Sequence, residues 1–123
     1  MVTKPAVPLI IPASISAFRE NYPGKRLVIV FQPHRYARLQ RYFTEFKDVL
    51  VRADRIFITP VFAAWTPDAP VNSHTLADAI GEKATALDGS WEMIGSAVKK
   101  ELRLNDIAAV IGAGDLPEIF QYL

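Results

Sequence analysis

The run RLVIVF, Arg26 to Phe31, constrains the fold more than any other stretch of the chain. It is apolar without alternation and follows the turn sequence YPGK (Tyr22 to Lys25), the pattern of a strand buried on both faces. Such a strand needs helices above and below its sheet. The next residues supply one: Leu39, Phe43, Phe46 and Leu50 recur at helical spacing, which predicts a helix from Tyr36 to about Arg52 with that face on the sheet. The alternation then repeats. RIFITPVF (Arg55 to Phe62) reads as a second strand ended by Pro60, AAWTPDAPVN as a long loop, and HTLADAI as a short helix capped by Ser73. KATALD (Lys83 to Asp88) is the weakest strand, with only Ala84, Ala86 and Leu87 as apolar signal. SWEMIGSAVKKELRL (Ser90 to Leu104) carries Trp91, Ile94, Val98 and Leu102 on one stripe and reads as a helix. DIAAVIGAGD (Asp106 to Asp115) reads as a strand and a glycine turn before a last helix, LPEIFQYL, and a further helix from about Pro12 to Asn21 precedes the first strand. Strands and helices that alternate in this way, joined by right-handed crossovers, give an α/β three-layer sandwich with a mostly parallel sheet, expected as a single domain over residues 1–123.

Composition narrows the function classes. With 123 residues the chain buries a core without covalent staples, and with no cysteine it has no disulfides, thiolate metal sites or cysteine nucleophile. Cysteine-free composition also favours a reducing, cytoplasmic compartment. The 14 Lys+Arg against 13 Asp+Glu leave no general basic field, so no nucleic-acid partner is expected and any anion site has to be local. The most apolar N-terminal piece, AVPLIIPASISAF, is interrupted by Pro8 and Pro12, is too short to span a bilayer and lacks a basic leader pattern. Neither an anchor nor a signal peptide is expected.

In a parallel sheet the C-terminal ends of the strands lie along one edge, where ligands of open α/β folds bind. The segments collected there are QPHRYAR, TPVFAAWTPD, DGS and GAGD. Of these, QPHRYAR is the richest in chemistry. Arg35 and Arg38 present paired N–H donors suited to a carboxylate or phosphate, and His34 adds a group that titrates near neutral pH. The competing reading makes Arg35, Arg38 and Arg41 solvated helix charges, with Glu45 four residues after Arg41 as an ordinary ion-pair partner; the residues alone weigh the two about equally. Arg41 and Gln40 are assigned to that wet face. His74 is expected on an exposed helix turn without a role, and two histidines with no cysteine do not make a metal site. GAGD lacks the rest of a dinucleotide fingerprint and reads as a tight turn with Asp115 capping a helix; no phosphate-loop motif occurs. Trp65 sits in the proline-rich loop as a surface or interface residue. Ser73 has no histidine and aspartate arranged to activate it, and no carboxylate pair is poised for acid–base work. The chain therefore holds no complete active site, and no catalytic residue is assigned.

YPGKRLVIVFQPHRYAR, followed by ADRIFITPVF, VNSHTLADAI and IGAGDL in the same order and approximate spacing, resembles the C-terminal domain of the Mur ligases. The Gln-Pro-His-Arg-Tyr string resembles the branch that joins L-alanine to UDP-N-acetylmuramate in peptidoglycan synthesis. The resemblance implies a Rossmann-like fold and a part in an ATP-dependent, ADP-forming amide synthetase. In that enzyme the muramoyl carboxylate becomes an acyl phosphate that the amine of L-alanine attacks. It implies that ATP and Mg2+ are held mainly by N-terminal and central domains not among these residues, that this domain closes over the nucleotide, and that the chain alone binds no cofactor strongly and is inactive. It further implies that His34, Arg35 and Arg38, which match the family's His-Arg-x-x-Arg, contact the amino acid or a carboxylate and orient it. Two departures stand out: VTKPAV (Val2 to Val7) replaces an acidic junction stretch with a tyrosine and paired histidines, and Ala37 and Leu39 flank Arg38 where hydroxyl residues are usual. Beside this reading stand a free-standing α/β module that holds a small carboxylate or phosphate without catalysis, and a purely structural or interaction domain.

Overall fold

The computed structural model describes residues 2–3, 10–62, 71–112, 119 and 121–122, and side chains from Ile15 onward within those ranges. Strand β1 (Val2–Thr3) leads to helix α1 (Ile10–Asn21), then β2 (Leu27–Phe31), α2 (Tyr36–Arg41), α3 (Phe43–Leu50) and β3 (Arg55–Ile58). Helix α4 (Ser73–Ile80), β4 (Ala84–Ala86), α5 (Trp91–Glu101) and β5 (Ile107–Ile111) complete the described elements. The strands form one sheet in the order β1-β5-β2-β3-β4, and every pair is parallel.

The expected burial of RLVIVF on both faces is what the packing shows: all five residues of β2 are buried, and their alternate side chains feed two separate cores. Leu27, Ile29 and Phe31 pack with Ile56 and Ile58 of β3, Ala109 and Ile111 of β5, and the inner faces of α1 to α4. Val28 and Val30 point the other way and meet Phe57, Val110 and the α5 residues Ile94 and Val98. The result is the three-layer α/β sandwich, with period-two alternation in each strand deciding which layer a residue joins.

Several boundaries differ from the sequence reading for identifiable reasons. The single helix expected from Tyr36 breaks at Tyr42, whose backbone (φ −108°, ψ 23°) ends α2 and starts α3. Leu39, Phe46 and Leu50 of the predicted stripe are buried, while Phe43 beside the break is only partly so. The cap of α4 is Asn72, in a reciprocal box with Thr75; Ser73 is the first helical residue, buried, and its Oγ donates to the Thr59 carbonyl at 2.6 Å. Strand β1 was not expected: Val2–Thr3 is too short a run to carry a strand pattern and is recruited by pairing with Val110 and Ile111. The weak strand KATALD is present as the three-residue edge strand β4. The loop holding Trp65, the cap Asp115 and most of LPEIFQYL lie outside the described residues.

Candidate functional site

Strand β2 runs on to β3 and β4 on one side, while β5 lies on its other side, so the chain reverses its winding between β2 and β5. The crevice beyond the carboxyl ends at such a reversal is where open α/β sheets bind ligands. Gln32 follows β2 there, and its N–H donates to the carbonyl of Ile111 at 2.9 Å; buried Gly112 follows β5.

Beyond Phe31 the two neighbouring chain segments separate and then rejoin. Phe31 pairs with Ile58 and His34 with Phe62, three residues later on one strand and four on the other, so the β3 side bulges by one residue around Pro60. Two hydrogen bonds close the bridge: the Arg35 N–H donates to the Phe62 carbonyl and the Phe62 N–H to the Pro33 carbonyl, both at 2.8 Å. The imidazole of His34 stacks on the Phe62 ring at 5.5 Å between centroids and 13° between planes. Its Nδ1 is buried and makes no hydrogen bond among the described residues. Burial, and then the charges of Arg35 and Arg38, hold its pKa below the ordinary value, so it is a neutral ring at pH 7.

This bridge fixes Arg35 in an unusual backbone state. It is the N-cap of α2 with φ 66° and ψ 135°, a left-handed conformation that favours glycine, and it makes no side-chain capping bond. Strain of this kind persists only where the surroundings enforce it, and it concentrates at functional positions.

Arg35, Arg38 and Arg41 line one hollow of about 270 Å³, together with Ala37 and Tyr42. None of the three makes an ion pair among the described residues, and the Arg41–Glu45 pair of the solvated-surface reading does not form. Instead the Arg41 guanidinium lies over the Tyr42 ring, 5.3 Å from its centroid, and Tyr42 meets buried Phe46 edge-on at 6.5 Å. Arginines near the amino edge of the sheet, two at strand starts and one in the last turn of α1, are placed quite differently. Arg26 pairs with Asp106 at 2.8 Å, Arg55 with Glu101 at 2.7 Å and Arg19 with Asp54 at 2.9 Å. Those three arginines are thus neutralised by carboxylates, while the ones in the hollow at the carboxyl edge are not.

The predicted trio is therefore divided. Arg35 and Arg38 share the hollow, whereas His34 is not among its described lining residues and serves as the packed hinge to Phe62. Arg41, assigned from sequence to the wet face, is exposed as expected and also lines the hollow; the helix break at Tyr42 left no glycine or proline signal. Of the two departures flanking Arg38, Ala37 forms part of the hollow's wall and Leu39 is buried in the core. His74 is exposed, as expected, with Nε2 2.7 Å from an Asp88 carboxylate oxygen. No group of three His, Cys, Asp or Glu among the described residues is arranged to hold a metal, and no helix among them is long and apolar enough to cross a membrane.

No family model matches the chain. The chain is 36% identical over 113 residues to the UDP-N-acetylmuramate–L-alanine ligase of Desulfotalea psychrophila, a match that covers 89% of this chain and 25% of that protein. The ligase of the same name from Vesicomyosocius okutanii is 35% identical, with 91% and 25% covered. The chain spans about a quarter of the length of the curated relatives it matches. Among solved structures, a domain assigned to a UDP-N-acetylmuramate:L-alanyl-γ-D-glutamyl-meso-diaminopimelate ligase of Haemophilus ducreyi superposes with a TM-score of 0.71 at 18% identity, covering 98% of this chain and 83% of that one. The UDP-N-acetylmuramate–alanine ligase of Thermotoga maritima gives 0.66 at 19% identity, over 98% of this chain and 26% of that one. By sequence, with the same fold beneath it, the chain is a homologue of one quarter of the UDP-N-acetylmuramate–L-alanine ligases, members of the Mur ligase family.

Proposed function

We propose that the chain is the C-terminal domain of an ATP-dependent, ADP-forming UDP-N-acetylmuramate–L-alanine ligase of the cytoplasm, and that it positions the amino acid and closes over the nucleotide. The observation that carries this reading is the hollow. Two guanidiniums at the ligand edge of the sheet, free of carboxylate partners among the described residues, stand where the family's His-Arg-x-x-Arg string falls. In this reading Arg35 and Arg38 grip the carboxylate of L-alanine with charge-assisted hydrogen bonds, leaving its amine directed away toward the muramoyl group. His34 acts as a neutral spacer that holds the Arg35 backbone against Phe62 rather than as a proton carrier. ATP supplies the phosphoryl group that activates the muramoyl carboxylate. The described donors of this chain do not fit a Mg2+ site and it has no phosphate loop, so metal and nucleotide are assigned chiefly to other domains of the enzyme.

The test is a chimera in which this chain replaces the matching quarter of the Desulfotalea ligase, assayed by L-alanine-dependent ADP release. Arg35→Ala is expected to raise KM for L-alanine about 10- to 100-fold, the worth of a hydrogen-bonded charge, with a smaller effect on kcat. An unchanged KM in an active chimera removes Arg35 from the substrate contacts. The second reading, a free-standing module that holds a small carboxylate, rests on the same hollow. Titrating the chain with L-alanine and with acetate, while following amide shifts from Arg35 to Tyr42, tests it; no shift counts against the module and leaves the chimera test to decide the ligase reading.

A further inference from the structure

We propose that the amino edge of the sheet, opposite the hollow, is a docking surface for an anionic lipid bilayer, with Leu104 inserted among the headgroups and the surrounding cations set on lipid phosphates. The inference stands apart from the function proposed above and uses no residue of the hollow.

Three observations carry it. The first is charge. The last turns of α1, α3, α4 and α5 and the turns that lead from them into the strands, residues 18–26, 47–55, 77–83 and 98–106, hold ten cations and seven carboxylates, three positive charges where the whole chain carries one. Four of those carboxylates are taken up in ion pairs with Arg19, Arg26, Lys47 and Arg55. Six cations are left without a carboxylate partner among the described residues, and three of them, Lys99, Lys100 and Arg103, stand exposed beside Leu104. The second is a row of apolar side chains. Of the four large ones exposed among the described residues, Leu104 (93%), Tyr22 (44%) and Val51 (38%) lie here, on the turns that feed the adjacent strands β5, β2 and β3. The third is rigidity. The Asp106 carboxylate accepts the Arg103 N–H and the Arg26 guanidinium, both at 2.8 Å, and the Asp106 N–H donates to the Arg103 carbonyl at 3.1 Å. Asn105 closes this turn in the left-handed region, φ 73°. Leu104 is therefore held out on a stapled tip, which lowers the ordering cost of inserting it.

Cations around projecting apolar side chains match the charged headgroups and acyl boundary of an anionic leaflet. An acidic protein would match the charge, but three apolar side chains on three separate turns do not make the contiguous core of a protein interface. With no membrane-crossing helix among the described residues, the docking is peripheral, and it leaves the carboxyl edge facing away from the bilayer.

The experiment floats the chain with vesicles of phosphatidylcholine alone and with about 30% phosphatidylglycerol. Partition onto the anionic vesicles is expected to be at least about tenfold higher, and to fall as salt rises from about 0.1 to 0.5 M. Leu104→Gln is expected to unfold like the parent and to lower that partition at least about threefold, and Lys99→Gln together with Lys100→Gln to lower it about tenfold. Met93→Gln, at the other end of α5, is the control for an exposed apolar side chain and is expected to leave it unchanged. Equal flotation with the two kinds of vesicle, or a Leu104→Gln chain that floats like the parent, overturns the proposal. Retention on immobilised poly-glutamate without flotation on anionic vesicles assigns the edge to an acidic protein and overturns it as well.

Discussion

Substituting Arg35 by alanine and by glycine separates what its backbone costs from what its guanidinium does. At φ 66° and ψ 135° a side chain with a Cβ is strained by about 1–3 kcal/mol. Alanine keeps that strain. Glycine relieves it but gives the unfolded chain more freedom, at about 0.5–1 kcal/mol. The two together predict that the glycine variant is about 1 kcal/mol more stable than the alanine variant, the reverse of the usual order. For a domain of this size the difference moves Tm by about 3–5 °C. Arg35→Ala itself is expected within about 0.5 kcal/mol of the parent, because the exposed guanidinium makes no ion pair among the described residues. Both variants are expected to lose L-alanine affinity in the chimera to the same degree, since both lack the charge. Thermal unfolding by circular dichroism reads the stability order. A glycine variant no more stable than the alanine variant refutes the strained bridge to Phe62; unequal KM values refute the assignment of the loss to the guanidinium.

Other expectations follow from the remaining geometry. Asp106 accepts three hydrogen bonds from Arg26 and one from the Arg103 N–H, and the Arg26 bond holds its pKa below the ordinary 3.8. A depressed folded pKa supplies stability above the unfolded value that is lost as pH falls through the folded one. Urea midpoints are therefore expected to drop below about pH 4, with Asp106→Asn costing about 2 kcal/mol at neutral pH and flattening that drop. His34, also depressed, adds an earlier loss: its contribution is complete above 6.5 and declines as pH falls toward its folded value, so His34→Gln is expected to remove the part of the slope just below pH 6.5. Gly95 lies inside α5, where alanine ordinarily stabilises a helix, but a Cβ there would sit 2.6 Å from Cβ of Tyr122. Gly95→Ala is expected to lower stability by about 1–3 kcal/mol in urea unfolding, and a more stable variant would show that the C-terminal turn yields without cost.

The parts legible in the sequence were those written by local periodicity. Full burial of Leu27 to Phe31 followed from an unbroken apolar run, and the stripe of Ile94 and Val98 placed α5 on the sheet, since amphipathic pattern and burial are the same constraint seen twice. The Asn72 cap was missed for Ser73 because both residue types cap helices, and only the three-dimensional position of the Thr59 carbonyl gives Ser73 another partner. The same limit applied at the site. The sequence by itself determined that Arg35 and Arg38 stand at the ligand edge of a parallel sheet, because strand direction and crossover handedness follow from the order of elements. Only the tertiary structure decided which cations act together. Arg41 lines the same hollow as Arg35 and Arg38, while the cross-strand bridge stacks His34 on Phe62, a contact between two strand ends that no local pattern links.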